Sequence, residues 1–302
     1  MKTLIISTYY NNPHHISHQA YLLKMFVDGE YDFVVLNDAG LTTRSLLSDN
    51  PSCFEIKNEC GKQNIESIFV PQYIHTNIYQ GGLVPDGLPA NHPTERHRAT
   101  LNWLFQSGFL RTKYNHAIIM ESDMFLKQKL NIKDFVDGFD IMGTWRNGLL
   151  QKMPGQSWNP KCGDATEIDA KWLTFQFLCI NLQTITNISD LDAGGFAGSD
   201  SGGNTHFFLK ENPQYKVKFI AKWNDIDYQV DFISQEPTTC EDAQFLHLRA
   251  GTNWDNNSKE YYYEKMYRAF EKFIPSYKTE LLNQNIQSKL YSSDHEHCYA
   301  PR

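Results

Sequence analysis

The sequence predicts an α/β fold with a parallel sheet, and three observations predict it. Strand, helix and strand patterns succeed one another within the first ~35 residues. A wholly apolar run, Ala117-Ile118-Ile119-Met120, lies near mid-chain. Further short strand patterns then follow as far as Leu248.

The elements follow in order. Leu4-Ile5-Ile6-Ser7-Thr8 reads as a short buried strand that exits into polar residues. Residues 16–28 place Ile16, Ala20, Leu23, Met25 and Phe26 at helical spacing. Tyr31 to Leu36 forms the second strand and ends in Asn37-Asp38. Parallel neighbours need a crossover, so this unit implies a parallel sheet. Residues 40–65 are polar and give no assignment, while Ser67 to Val70 reads as a strand. Gly81 to Pro89 is turn-rich. A helix starts near Pro93, which suits a first turn, and runs to Phe109. Ala117 to Met120 is apolar throughout, as a central strand buried on both faces must be. Further strands are expected at Phe139 to Gly143, Thr174 to Asn181, Lys216 to Ile220 and Ala243 to Leu248. Residues 146–170, rich in Gly, Pro, Trp and Asn, read as a long loop or flap. Residues 258–290 are helical and amphipathic.

Composition narrows the function. Hydrophobic residues make up 41% and charged residues 21% of the 302, as in ordinary globular proteins. The net charge of -7 argues against general binding to nucleic acid or anionic membranes, which attract basic faces. Leu4-Ile5-Ile6 is too short an apolar run for a signal peptide, and no stretch approaches the ~20 apolar residues of a membrane span. A cytoplasmic location without a transmembrane segment is therefore expected. Six scattered cysteines form no zinc-type pairs and read as reduced thiols.

The chemistry centres on Glu121-Ser122-Asp123. Such acidic triplets also occur at Glu167-Ile168-Asp169, Asp190-Leu191-Asp192 and Asp225-Ile226-Asp227. The first differs in following directly on the most strand-like run of the chain. Ligands of open α/β sheets bind beyond the carboxyl ends of strands. Two carboxylates held there suit a hard divalent cation that bridges to phosphates. A second stretch, Phe245-Leu246-His247-Leu248-Arg249-Ala250-Gly251-Thr252-Asn253-Trp254, ends an apolar run with a His, a base, a Gly and a Trp. His247 is a candidate third metal ligand or else a satisfied core histidine. Arg249 has the charge to neutralise a phosphate.

A strand ending in an acidic-x-Asp triplet, together with a late His-Gly-Trp segment, resembles the GT-A glycosyltransferases. The resemblance implies a Rossmann-like GT-A fold: a mixed, mostly parallel central sheet flanked by helices over residues 1–254, and a C-terminal helical extension over 255–302. It implies a metal-dependent enzyme that moves a sugar from a UDP- or GDP-sugar to a glycan or other hydroxyl acceptor, with Mn2+ or Mg2+ on the diphosphate. Asp123 would be a direct metal ligand, Glu121 would contact ribose or metal, and His247 would complete the site. Arg249 or Asn253 would face the diphosphate. Thr8 and Tyr9, at the exit of the first strand, would contact the base, and Asp38 would contact base or ribose. The helix with Arg96, His97, Arg98 and Asn102 resembles one that precedes the metal triplet in family 2 enzymes, and one of the two arginines would face the nucleotide. Two departures stand out: the first acid is Glu, and the step from His247 to Gly251 is one residue longer than in glycogenin-like enzymes.

Gly194 to His206 is glycine-rich and opens a helix at Thr205. Its glycines permit close backbone approach to a ligand. The same resemblance makes Asp200 the candidate general base if the reaction inverts; the rival reading is a flexible loop with Asp200 as a helix cap. Trp145 and Trp158 would form a lid over the donor sugar. Two rivals remain. A sugar-phosphate nucleotidyltransferase would begin with a Gly-rich basic loop, but Ser7 to His15 contains no Gly, Lys or Arg. A carbohydrate-binding protein without catalysis would leave Glu121, Asp123 and His247 without a shared role.

Overall fold

The computed structural model describes residues 2–10, 12–39, 53–71, 73–76, 93–111, 113–151, 165, 167–194, 201–222, 244–248 and 259–277. Strand β1 (Thr3–Tyr9) is buried along its whole length, and helix α1 (His15–Phe26) follows it. A two-residue strand β2 (Val27–Asp28) precedes β3 (Tyr31–Asn37). Next come α2 (Cys53–Lys62), β4 (Glu66–Phe69), a short α3 (Tyr73–Thr76) and α4 (Pro93–Gln106). Strands β5 (His116–Glu121), β6 (Met124–Leu126) and β7 (Leu130–Asn131) lead to a short α5 (Ile132–Val136). The long strands β8 (Ile141–Gln151) and β9 (Glu167–Asn181) precede α6 (Thr205–Glu211), β10 (Val217–Lys222), β11 (Phe245–His247) and α7 (Lys259–Phe273).

Seven strands form one sheet in the order β10-β8-β9-β5-β1-β3-β4. The pairs β1–β3, β1–β5, β3–β4 and β8–β10 are parallel, whereas β9 runs against both β5 and β8. The sheet is thus mixed and mostly parallel, as expected. From β1 the chain passes outward through β3 to β4, and β5 then returns to the other side of β1. The carboxyl ends of β1 and β5 therefore flank a topological switch point, where open α/β sheets bind ligands. Thr8 pairs with Glu121 there.

Side-chain alternation divides the core between the two faces of the sheet. Leu4, Ile6, Ala117 and Ile119 pack with Leu101, Leu104 and Phe105 of α4. Ile5, Ile118 and Met120 face Leu23, Met124, Phe177 and Phe245. A third cluster joins Leu22 of α1 and Phe125 of β6 to Leu246, Leu248, Met266, Ala269 and Phe270. Through it α7 packs on α1 and on the β6–β11 ribbon. Full burial of a side chain such as Phe270 contributes about 2–3 kcal/mol.

One expectation is corrected. The two ends of 146–170 are not loop: Trp145 to Gln151 of β8 pair with Glu167 to Leu173 of β9, while residues 152–164 and 166 lie outside the described residues. This arm reads as loop because one face meets water. Its β9 residues alternate between exposed and covered, and Leu149 is 55% exposed. Half-wet antiparallel strands carry few apolar residues. The strand expected over Ala243 to Leu248 is present as β11, which pairs with β6 in a separate two-stranded ribbon. The unassigned stretch 40–65 contains α2, anchored by Cys53, Ile56 and Cys60. Cys53, Cys60 and Cys179 are free and buried, in line with reduced thiols. Among the described residues, no helix is long and apolar enough to cross a membrane.

Candidate metal centre

Glu121 is the last residue of β5, and Asp123 lies in the turn between β5 and β6. The β6–β11 ribbon brings in the third group. His247 pairs with Met124, and the Leu248 N–H donates to the Asp123 carbonyl at 2.9 Å. His247 Nε2 lies 3.2 Å from Glu121 Oε2 and 3.4 Å from Asp123 Oδ1. One ligand atom from each of the three residues falls within 4.8 Å of the others. Adjacent ligands of a divalent ion with metal–oxygen distances near 2.1 Å lie about 3 Å apart, so this spacing fits a common ion. Two carboxylates and one imidazole suit Mn2+ or Mg2+, with the imidazole favouring the softer ion.

The turn is built from beneath by α1. Gln19 Nε2 donates to the carbonyls of Glu121 and Met124, both at 2.8 Å, and Gln19 Oε1 accepts from the Tyr9 hydroxyl at 2.9 Å. His15 Nδ1 donates to the Ser122 carbonyl at 3.2 Å. Burial pushes His15 down to about 4, against the opposing pull of Asp123 and the Ser122 carbonyl, so the imidazole is neutral at pH 7. Burial alone would raise the Asp123 carboxyl. Its interaction with His247, a hydrogen bond included, and with His15 and Lys265 holds it below the ordinary carboxylate value. Asp123 is thus kept ionised in a buried position, the state that a cation requires. Glu121 is gripped on both sides, with His97 Nδ1 3.5 Å from Oε1 opposite His247 at Oε2.

Asp38 and Arg96, both expected near the nucleotide, meet at the ends of β1 and β3. The Arg96 guanidinium donates to the Asp38 carbonyl, lies 3.5 Å from its carboxylate and covers the Tyr10 ring at 4.2 Å. Both side chains are buried. Arg98 instead approaches Gly194, where an added Cβ would lie 2.9 Å from the guanidinium. Thr8 sits at the strand end beside Glu121. Two candidates are engaged inside the protein. Tyr9 packs its ring with Ile16, Val35 and Cys53, and its carbonyl accepts from the Asp38 N–H. Asn102 donates to Asp192 at 2.9 Å and accepts from the Ala193 N–H at 2.7 Å, so its amide clamps the loop after β9. Trp145, expected in a lid, is a β8 residue set against Phe219 and under Lys171. Asp200, Arg249, Asn253 and Trp158 lie outside the described residues.

Four further residues were not foreseen: His15, Gln19, Gln176 and Lys265. The first two had a signal. Positions 15, 18 and 19 are polar yet share a helix face with Ile16, Leu22 and Leu23. Polar side chains on a buried face must find partners.

No protein-family model matches the sequence, and no curated protein matches it. Solved structures to which the chain is similar include galactosyltransferase LgtC in complex with donor and acceptor sugar analogs. There the identity is 12%, 81% of this chain and 86% of that one are covered, and the TM-score is 0.41. Mannosyltransferase PcManGT from Pyrobaculum calidifontis, in complex with GDP-Man and Mn2+, is 10% identical, with 72% and 54% covered and a TM-score of 0.39. Mannosyltransferase Ktr4p from S. cerevisiae, in complex with GDP, is 12% identical, with 70% and 61% covered and a TM-score of 0.36. The chain spans less than two thirds of the latter two. At these scores the reading of the site rests on its own residues.

Proposed function

We propose that the chain is a glycosyltransferase that moves a sugar from a nucleotide-diphosphate sugar to an acceptor hydroxyl, with a divalent cation on the diphosphate. One observation carries the reading. Glu121, Asp123 and His247 converge, mostly buried, at the switch point of the sheet, a place where structure alone needs no such cluster. These three residues would hold Mn2+ or Mg2+, which when bound supplies positive charge against the leaving diphosphate.

The remaining roles belong to the protein. Gln19 and His15 fix the turn so that both carboxylates stay in place without reorganisation. His97 and His247 hold Glu121 by its two oxygens. Thr8 and the Asp38–Arg96 pair border the nucleoside side, with Tyr10 beneath the guanidinium. Arg249 or Asn253, following β11, would approach the diphosphate, and Asp200 would take the acceptor proton if the reaction inverts.

The test is binding of UDP and GDP, with and without Mn2+, to the wild type and to Asp123→Ala. Metal-dependent binding lost in the variant supports the proposal and names the nucleotide. Failure of a folded, Mn2+-supplied wild type to bind either nucleotide overturns it and favours a carbohydrate-binding protein.

A further inference from the structure

Behind His247 lies a chain of buried polar groups that the proposed reaction does not itself use. Gln176 Nε2 is 3.2 Å from His247 Nδ1, and Gln176 Oε1 accepts from the Thr174 hydroxyl at 3.2 Å. Thr174 Oγ1 lies 2.6 Å from Thr144 Oγ1. Thr144 Oγ1 in turn lies 3.3 Å from both the Phe177 N–H and the Phe177 carbonyl. Thr144, Thr174, Gln176 and His247 are all buried. We propose that Gln176 is a positioning residue that sets the tautomer and ring orientation of His247, and through them the affinity of the Glu121–Asp123–His247 site for a divalent cation. The proposal rests on the metal reading above.

The backbone is shaped to deliver this side chain. Gly143 pairs with Leu178 and Trp145 with Leu173, so a two-residue advance on β8 matches five residues on β9. The surplus residues bulge opposite Thr144. Bulges beside functional sites re-aim side chains. Gly143 permits the close approach, since a Cβ there would lie 2.7 Å from the Phe177 carbonyl oxygen. Thr144, which accepts from the Phe177 N–H and lies within reach of its carbonyl, pins the bulge. Thr174 and Gln176, two residues apart, then lead from Thr144 to His247.

The chain can run in two directions, and the placement of the Gln176 amide selects between them. The Phe177 N–H donates to Thr144, Thr144 to Thr174, and Thr174 to Gln176 Oε1. With its nitrogen facing the ring, the Gln176 amide donates to His247 Nδ1. In that direction Nδ1 accepts, which puts the ring proton on Nε2 toward Glu121 and Asp123. A cation held by Nε2 needs that proton on Nδ1 and an acceptor facing it. A half-turn of the Gln176 amide supplies one. Both threonine hydroxyls then reverse, and the Thr144 hydroxyl donates to the Phe177 carbonyl. An amide and two hydroxyls each donate and accept, so the chain is satisfied in either direction. A carboxylate at 176 serves only the cation-loaded direction, and an alkyl group serves neither.

The test is titration of Mn2+ alone, without nucleotide, into wild type, Gln176→Leu and Gln176→Glu, together with 15N NMR of the His247 imidazole in the metal-free proteins. The expected results are Mn2+ binding weakened 10–100-fold in Gln176→Leu and restored to the wild-type level or better in Gln176→Glu. The ring proton should sit on Nε2 in the wild type and move to Nδ1 in Gln176→Glu. Mn2+ affinity within threefold of wild type in folded Gln176→Leu, or one His247 tautomer shared by wild type and Gln176→Glu, overturns the proposal. A wild type that binds no Mn2+ sinks the metal reading instead, and is told apart by the NMR result.

Discussion

Asp123→Asn removes one negative charge from the centre while keeping the volume of the side chain. Its cost can be worked from the structure. The ligand atoms of Glu121, Asp123 and His247 lie within 4.8 Å of one another. A divalent cation among them is closer than that to the Asp123 oxygen. Two positive charges against one negative at 4.8 Å therefore set a floor on the lost attraction. That floor is about 1.7 kcal/mol in water and about 7 kcal/mol at an effective dielectric of about 20. Asp123 is 4% exposed, which rules out the fully aqueous limit. Even the smaller figure is about 20-fold in affinity. The Mn2+ dissociation constant of Asp123→Asn, measured by calorimetric titration without nucleotide, should rise at least about 20-fold. Asp190→Asn, in one of the other acidic triplets, should leave it unchanged. A folded Asp123→Asn that binds Mn2+ within about threefold of wild type would refute the assignment of Asp123 as a ligand.

Two further predictions concern buried charge. Burial pushes His18 down to about 3, with His15 adding to the shift. An unfolded chain takes up that proton near pH 6.5, so stability is complete above about 6.5 and falls as pH drops toward 3, by up to about 1.4 kcal/mol per unit. His18→Leu should shrink the stability lost between pH 7 and pH 5 by about 2 kcal/mol in urea titrations, and equal losses in both proteins would refute this. Arg96→Met leaves the Asp38 carboxylate buried without its guanidinium and should cost about 3–5 kcal/mol, of which Arg96→Met/Asp38→Leu recovers at least half. A shift below about 1 kcal/mol in the urea-derived stability of the single variant would show that Arg96 is not holding a buried charge.

The parts legible in the sequence are those whose burial is set locally. β1 and β5 lie inside the sheet with both faces covered, so their residues must be apolar in succession, and the runs Leu4 to Ile6 and Ala117 to Met120 announce them. Glu121-Ser122-Asp123 stands out because two charges follow such a run, at the end of a strand where a parallel sheet binds ligands. The β8–β9 arm hid because one wet face dilutes the apolar pattern to the composition of a loop. Tyr9 and Asn102 looked like ligand contacts by position, yet each is engaged inside the protein, Tyr9 by Gln19 of the following helix and Asn102 by the sequence-distant Asp192.

Residue type and strand burial are local properties, so the kinds of groups in the centre, and the strand end that carries two of them, are legible in the chain alone. Only the tertiary structure decided that His247 reaches those carboxylates. Its place follows from a three-residue pairing of β11 with β6, too short to carry a pattern of its own. Only the tertiary structure, too, set Gln176 behind His247, because that contact depends on the order of strands in the sheet and on surplus residues in one of them. Strand order is fixed by which faces pack best over the whole core, a sum over distant residues that no short stretch of chain contains.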